Sequence, residues 1–166
     1  MKDYLLHHET LRSNRTLALF AGLTLVFLVL FLWRASAAGV DGLAITFLVF
    51  SLVFLFYSVN YRTLVIRITP KALALKFGIF TWNVPMENIQ TVMADDDLPP
   101  LNKYGGAGIH FMFVNGRYRA SFNFLEYPRL TIAFKRKVGP VQDISFSTRQ
   151  PEEVTSILEQ AVREIN

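Results

Sequence analysis

"LVIRITPKALALKFGIFTWNVP", residues 64–85, is the segment that decides the fold of this chain. Apolar side chains alternate with polar or small ones, and turn-forming residues interrupt the alternation at Thr69–Lys71 and at Gly78. A period of two places successive side chains on opposite faces of a strand. The segment therefore predicts three consecutive antiparallel strands that end at Pro85. The predicted inward residues are Leu64, Ile66, Ile68, Leu73, Leu75, Phe77, Phe80, Trp82 and Val84.

A β-hairpin is predicted around Asn115-Gly116, because this dipeptide suits the type I′ turn between two strands. A two-residue turn pairs Phe113 with Tyr118, Phe111 with Ala120 and Ile109 with Phe122. These six apolar residues make one face of the hairpin wholly apolar. The opposite, polar face collects His110, Met112, Arg117, Arg119 and Ser121.

Further strand patterns lie near Ile89 and in residues 130–134 and 144–146, and the chain closes with an amphipathic helix that begins near Pro151. The helix should cover one open end of the sheets with its apolar stripe. We therefore predict that residues 62–166 form an all-β domain of seven or eight antiparallel strands, a barrel or sandwich capped by a C-terminal helix. The stripe consists of Val154, Ile157, Leu158, Ala161 and Ile165.

Two uncharged apolar runs precede this domain, at residues 16–33 and 42–61. Each is about 18–20 residues long, which as a helix matches the roughly 30 Å hydrocarbon core of a bilayer. We predict transmembrane helices at about 17–33 and 42–61, a short external loop at 34–41 and an N-terminal tail at 1–16. Ala35-Ser36-Ala37 resembles a signal-peptidase site, but the apolar run is longer than a signal sequence requires, so an anchor is the favoured interpretation.

The distribution of basic residues predicts the orientation of this helical hairpin. Only Arg34 lies between the two runs, whereas basic residues are frequent before the first run and after the second. Both termini are therefore predicted to face the cytoplasm. Neither run contains a charged residue or a histidine, which argues against an ion or proton path through these two helices. The flanking basic residues are Lys2, Arg12, Arg15, Arg62, Arg67, Lys71 and Lys76.

Composition excludes several functional classes. The chain has no cysteine, which excludes disulfides and metal sites with cysteine ligands. A pI near 9.5 is too weakly basic to predict a nucleic-acid partner. The histidines at 7, 8 and 110 have no neighbours in sequence that suggest a metal site or a catalytic group. We therefore expect no catalytic residue, no metal, no cofactor and no enzymatic activity.

The most unusual stretch is "LNKYGGAGIH", residues 101–110. Gly105, Gly106 and Gly108 precede a strand rather than a helix, which disfavours a phosphate-binding loop. Glycines that allow a bend into the strand are the simplest interpretation. The alternative is a partner-binding loop with Lys103 and Tyr104 as contacts. Because the connection at about 94–108 is long, it is the preferred candidate for a functional surface.

A second candidate surface is the basic sequence Lys135-Arg136-Lys137, which precedes a turn at Gly139-Pro140. Such a hairpin tip is either an ordinary soluble turn or a contact for anionic lipid headgroups. Arg117 and Arg119, on the polar face of the neighbouring hairpin, would extend this lipid-contact patch.

Three motifs resemble bacterial pleckstrin-homology-like membrane proteins: residues 64–92 with their Gly78 turn and Val84-Pro85 joint, the Tyr-Gly-Gly-x-Gly-Ile sequence at 104–109, and "SFSTRQPEEVTSIL" at 145–158. The resemblance implies a pleckstrin-homology-type barrel in a bacterial plasma membrane and implies no particular activity. Our first hypothesis is a membrane-anchored interaction module that docks a protein partner or a second copy of itself. The alternative is a module that senses anionic lipids.

Overall fold

This computed structural model describes residues 4–94, 108–124 and 126–165. Three helices and nine strands make up the described chain, with one 3₁₀ turn at Met86–Asn88. In order, they are β1 (His7–Arg12), α1 (Asn14–Ala38), α2 (Gly42–Asn60), β2 (Thr63–Ile68), β3 (Ala72–Phe77), β4 (Phe80–Pro85), β5 (Ile89–Ala94), β6 (Gly108–Val114), β7 (Arg117–Asn123), β8 (Arg129–Val138), β9 (Val141–Ser147) and α3 (Pro151–Ile165).

The helices α1 and α2 are each long and apolar enough to span a membrane. They begin at side-chain caps: Ser13 Oγ accepts a hydrogen bond from the Thr16 amide, and Asp41 Oδ1 accepts one from the Ala44 amide, both at 2.9 Å. The capping of α1 by Ser13 and its end at Gly39 make this helix longer than the predicted span 17–33. Arg34 donates a hydrogen bond to Asp41 across the connection, and this contact lowers the pKa of the Asp41 carboxyl.

Aromatic side chains join the two helices. The Phe27 ring lies 5.2 Å from the Phe50 ring and 5.5 Å from the Phe54 ring, centroid to centroid. Ser51 Oγ donates a 3.1 Å hydrogen bond to the Thr24 carbonyl of the facing helix. α1 and α2 therefore form a packed antiparallel hairpin.

The strands form two sheets, ordered β1-β2-β3-β4 and β5-β8-β9-β7-β6. The described part of residues 62–166 contains eight strands, which confirms the predicted number, but the prediction that all are antiparallel is wrong, because β7 pairs with β9 in parallel. A ninth strand, β1, lies in the N-terminal segment. β9 turns back from β8 at Gly139-Pro140 and inserts between β8 and β7, so it runs in the same direction as β7. Within the described residues, the two sheets are not closed into a barrel.

The N-terminal segment is not only a tail, because residues 7–12 pair with β2 from His7↔Ile68 to Arg12↔Thr63. Glu9 lies on the buried face of β1, and its carboxylate accepts hydrogen bonds from Thr148 Oγ1 at 2.6 Å and from the Arg149 amide at 2.9 Å. Polar residues on the inward face hid this strand from the apolar pattern. The helical hairpin consequently emerges from two adjacent strands of one sheet.

The core lies between the sheets, and α3 packs against β5, β8 and the 3₁₀ turn. The predicted meander and its alternating burial are confirmed in β2 and β3, where Leu64, Ile66, Ile68, Leu73, Leu75 and Phe77 are all fully buried. Of the predicted stripe, α3 buries Val154, Leu158 and Ala161 and half-buries Ile157, whereas Ile165 is exposed.

Candidate functional site

One end of the five-stranded sheet lies beside the end of α2. Tyr61 follows α2 directly, and a β-carbon at Gly108 would lie only 2.8 Å from Cε2 of the Tyr61 ring. Gly108 pairs with Asn123 on β7, while Arg129 pairs with Ser147 on the neighbouring strands. We call the end of the sheet at which these four residues lie the helix end. The opposite end, at the β6–β7 and β8–β9 turns, is the far end.

An apolar groove lies between the outer strands of the two sheets, β4 and β6. Its volume is about 340 Å³. The Trp82 ring of β4 lies 6.5 Å from the Phe111 ring of β6 and 6.1 Å from the Phe122 ring, centroid to centroid. The groove is lined by Tyr61, Phe80, Thr81, Trp82, Ile109, Phe111 and Phe122.

The strands beside this groove differ from the other two edge strands. Within the described parts of the chain, no strand pairs with the outer edge of β4 or of β6. Neither strand contains Lys, Arg, Asp or Glu, the charges that commonly protect a sheet edge. By contrast, β1 carries Glu9 and Arg12, and β5 has α3 packed against it.

The β6–β7 hairpin has the predicted register, with Phe113 paired to Tyr118 and Phe111 paired to Ala120. Its apolar face is only half covered, because β6 is an outer strand: Ala120 and Phe122 are buried, whereas Phe113 is 72% exposed. This apolar face therefore lies only partly in the core. The exposed part continues the apolar groove as a stripe of aromatic rings.

The predicted partner-binding loop can be placed only in part. Lys103, Tyr104, Gly105 and Gly106 lie outside the described residues. Gly108 has a φ of +92° and approaches the Tyr61 ring too closely for a side chain. At this position, the simpler interpretation of a glycine that allows a bend into a strand is confirmed.

The polar face of the same hairpin is buried or half-buried rather than open to lipid. Arg119 Nε donates a 2.7 Å hydrogen bond to Asp143 Oδ1, and both side chains are buried. Arg117 is more exposed, and its Nε lies 3.2 Å from Asp143 Oδ2. Asp143 thus neutralises the two arginines that were predicted to extend the basic patch. Arg119 cannot form part of an exposed lipid contact in this conformation.

His110 lies half-buried next to this polar face, paired across the hairpin with Ser121. Burial lowers the pKa of the His110 imidazole, and the positive charge of Arg129 lowers it further. The side chain is therefore neutral at pH 7. In the described parts of the chain, no group of three or more His, Asp and Glu side chains could hold a metal ion.

The basic tip lies at the far end of the sheet. Lys135, Arg136 and Lys137 are exposed near the end of β8, whereas Arg129 begins that strand at the helix end. Asn88 holds the tip in place, because its side chain accepts a hydrogen bond from the Arg136 amide and donates one to the Arg136 carbonyl, both at 2.9 Å. At about 3.3 Å per residue, the tip is roughly 20–25 Å from the helix end.

Three other basic side chains lie where α1 and α2 join the sheets. Arg12 and Arg62 flank the helical hairpin, Arg15 lies in the first turn of α1, and all three are exposed. Sequence reasoning used these residues only to orient the helices. The pairing of β1 with β2 brings these three residues together, and no sequence pattern predicted that pairing.

Comparisons of the chain with protein-family models, with curated proteins and with solved structures find no match. The resemblance to bacterial pleckstrin-homology-like proteins therefore stays a prediction from sequence motifs.

Proposed function

We propose that this protein is a non-catalytic interaction module of a bacterial plasma membrane. The helical hairpin anchors it, and the β-domain, a variant of the pleckstrin-homology-like architecture, docks an extended segment of a protein partner or of a second copy at the cytoplasmic face. The observation that carries this proposal is the apolar groove between two sheet edges without protecting charges.

Strand addition fits this groove physically. An extended segment beside β4 or β6 would satisfy backbone N–H and C=O groups along that edge. Alternate side chains of the same segment would point toward the aromatic rings of Trp82 and Phe111. Hydrogen bonds would supply affinity, and the aromatic lining would select apolar side chains. Tryptophan, tyrosine and phenylalanine are also the residue types enriched in protein interfaces.

Site-specific crosslinking of the full-length chain in its native membrane tests the proposal. A photoreactive amino acid at Phe111 should give an adduct with a protein, or a dimer if the partner is a second copy. The same reagent at Ile165, an exposed apolar residue on α3, should give none.

A charge placed on the exposed aromatic stripe that continues the groove supplies the matched comparison. Phe113→Lys should abolish the adduct formed from position 111, because it buries a charge beneath the docked segment. Ile165→Lys introduces the same charge elsewhere and should leave the adduct unchanged. Crosslinking to lipid alone from position 111 would contradict protein docking.

A second candidate function is contact with anionic lipids, and the exposed Arg12, Arg15 and Arg62 favour it. Each basic residue near an anionic surface contributes about 1 kcal/mol. Anionic lipids in nanodiscs should therefore raise the melting temperature of the wild type, and replacing these three residues by Ala should abolish the increase. The corresponding Lys135, Arg136 and Lys137 triple variant should retain it, since that tip lies at the far end. The opposite pattern would restore the tip as the lipid contact.

A further inference from the structure

The turn between β3 and β4 exposes an apolar residue at an unusual position. Phe77 and Phe80 form the last pair of the two strands, and Gly78-Ile79 is the turn between them. Ile79 is 71% exposed. A tight turn of a soluble domain usually carries polar residues at such a position. Together with the adjacent Phe80, which is 41% exposed, Ile79 gives the turn an apolar surface.

The turn is attached to the end of α2. Asn60, the last residue of α2, accepts a 3.3 Å hydrogen bond from the Ile79 amide through its Oδ1 atom. Gly78 has a φ of +52°, and a β-carbon there would lie 2.9 Å from the Asn60 Cα atom. Only glycine fits so close to the helix backbone. The position of Ile79 relative to the helix end is therefore fixed by a hydrogen bond to the Asn60 side chain and by the close approach of Gly78 to the helix backbone.

Helix length gives the depth of this contact. α2 has 19 residues, and at 1.5 Å per residue it is about 28 Å long, which barely matches a hydrocarbon core of roughly 30 Å. Because this length does not exceed the thickness of the core, a spanning α2 places Phe56, one turn before its end, within the apolar layer. The Phe80 ring packs edge to face on the Phe56 ring, with centroids 6.4 Å apart. Phe80 consequently lies beside the end of a membrane-spanning helix.

We propose that the β3–β4 turn is a third membrane contact of this protein, in which Ile79 and Phe80 enter the interfacial region of the bilayer. Apolar surface of the turn would leave water there, which is favourable. Together with the paired strands that flank the helical hairpin, this contact holds the β-domain at a fixed tilt on the membrane. The inference rests on the membrane anchor of the proposed function, and its test does not require a docked protein, although Phe80 also belongs to the lining of the groove.

Depth-dependent fluorescence quenching tests this inference in the full-length protein. The chain has no cysteine, so single cysteines can carry an environment-sensitive fluorophore without background labelling. The probe positions are Ile79→Cys at the turn, Leu25→Cys in the middle of α1 and Lys137→Cys at the far end. Each labelled protein is reconstituted into phosphatidylcholine–phosphatidylglycerol vesicles that contain a lipid nitroxide at a shallow or a deep acyl position.

Shallow nitroxide should quench the Ile79→Cys label several-fold more strongly than the Lys137→Cys label, and deep nitroxide should quench the Leu25→Cys label most. If the Leu25→Cys label is quenched while the Ile79→Cys label behaves like the Lys137→Cys label, the turn lies in water and the inference is overturned, although the anchor stands. If the Leu25→Cys label is not quenched, the anchor itself fails, and the proposed membrane function fails with it.

Discussion

Replacing Asp143 by Asn should destabilise the β-domain strongly, because this carboxylate is the buried partner of Arg119. The Asp143 side chain is only 2% exposed, the Arg119 side chain is 9% exposed, and the two are joined by a 2.7 Å hydrogen bond. Arg117 contacts the same carboxylate at 3.2 Å, but its side chain is 39% exposed. Asp143 therefore forms two ion pairs, a buried one with Arg119 and a half-exposed one with Arg117.

The two pairs differ in the expected cost of disruption. Asp143→Asn deprives a buried guanidinium of its carboxylate, which typically costs about 3–5 kcal/mol in the free energy of unfolding. Arg117→Ala removes only the solvent-screened partner and should cost about 0–1 kcal/mol. With a urea dependence of about 2 kcal/mol per molar for a domain of this size, Asp143→Asn should lower the unfolding midpoint by about 2 M.

Urea titration of the full-length chain in detergent micelles measures both costs. Tryptophan fluorescence reports the β-domain selectively in a Trp33→Phe background, because Trp82 is then the single tryptophan. A loss below about 1 kcal/mol for Asp143→Asn, equal to that for Arg117→Ala, would refute the reasoning. It would mean that the polar hairpin face is solvated, as the sequence alone suggested.

Two further predictions concern Gly108 and His110. Gly108→Ala should lower the melting temperature more than Gly116→Ala, since both glycines have positive φ (+92° and +77°) but only Gly108 meets the Tyr61 ring. Positive φ alone costs about 1–2 kcal/mol and overpacking adds about 1–3; equal shifts would contradict the close approach. For His110, the folded-state pKa lies below the ordinary 6.5. As the pH falls through 6.5, His110 binds a proton in the unfolded chain but not yet in the folded chain. The free energy of unfolding should therefore fall as the pH decreases from 7.5 to 5. His110→Gln should lack this component, and parallel pH profiles of the two proteins would show that the imidazole is not buried.

Local patterns predicted much of this architecture. The alternation in residues 64–85 predicted β2, β3 and β4, and Asn115-Gly116 predicted the β6–β7 register pair by pair. The stripe of α3 and the two apolar helices also followed from periodicity and length. The groove between β4 and β6 did not follow from these local patterns, because a groove between two sheets depends on which strands lie at their edges.

The sequence by itself determined the elements whose signals lie in adjacent residues: apolar helices, amphipathic helix, meander and hairpin. The tertiary structure alone decided which elements meet. It paired β1 with β2 across the whole helical hairpin, inserted β9 beside β7, and exposed Phe113 while burying Arg119. The physical reason is that periodicity records which face of a strand is apolar, whereas pairing and burial depend on contacts between residues far apart in the chain.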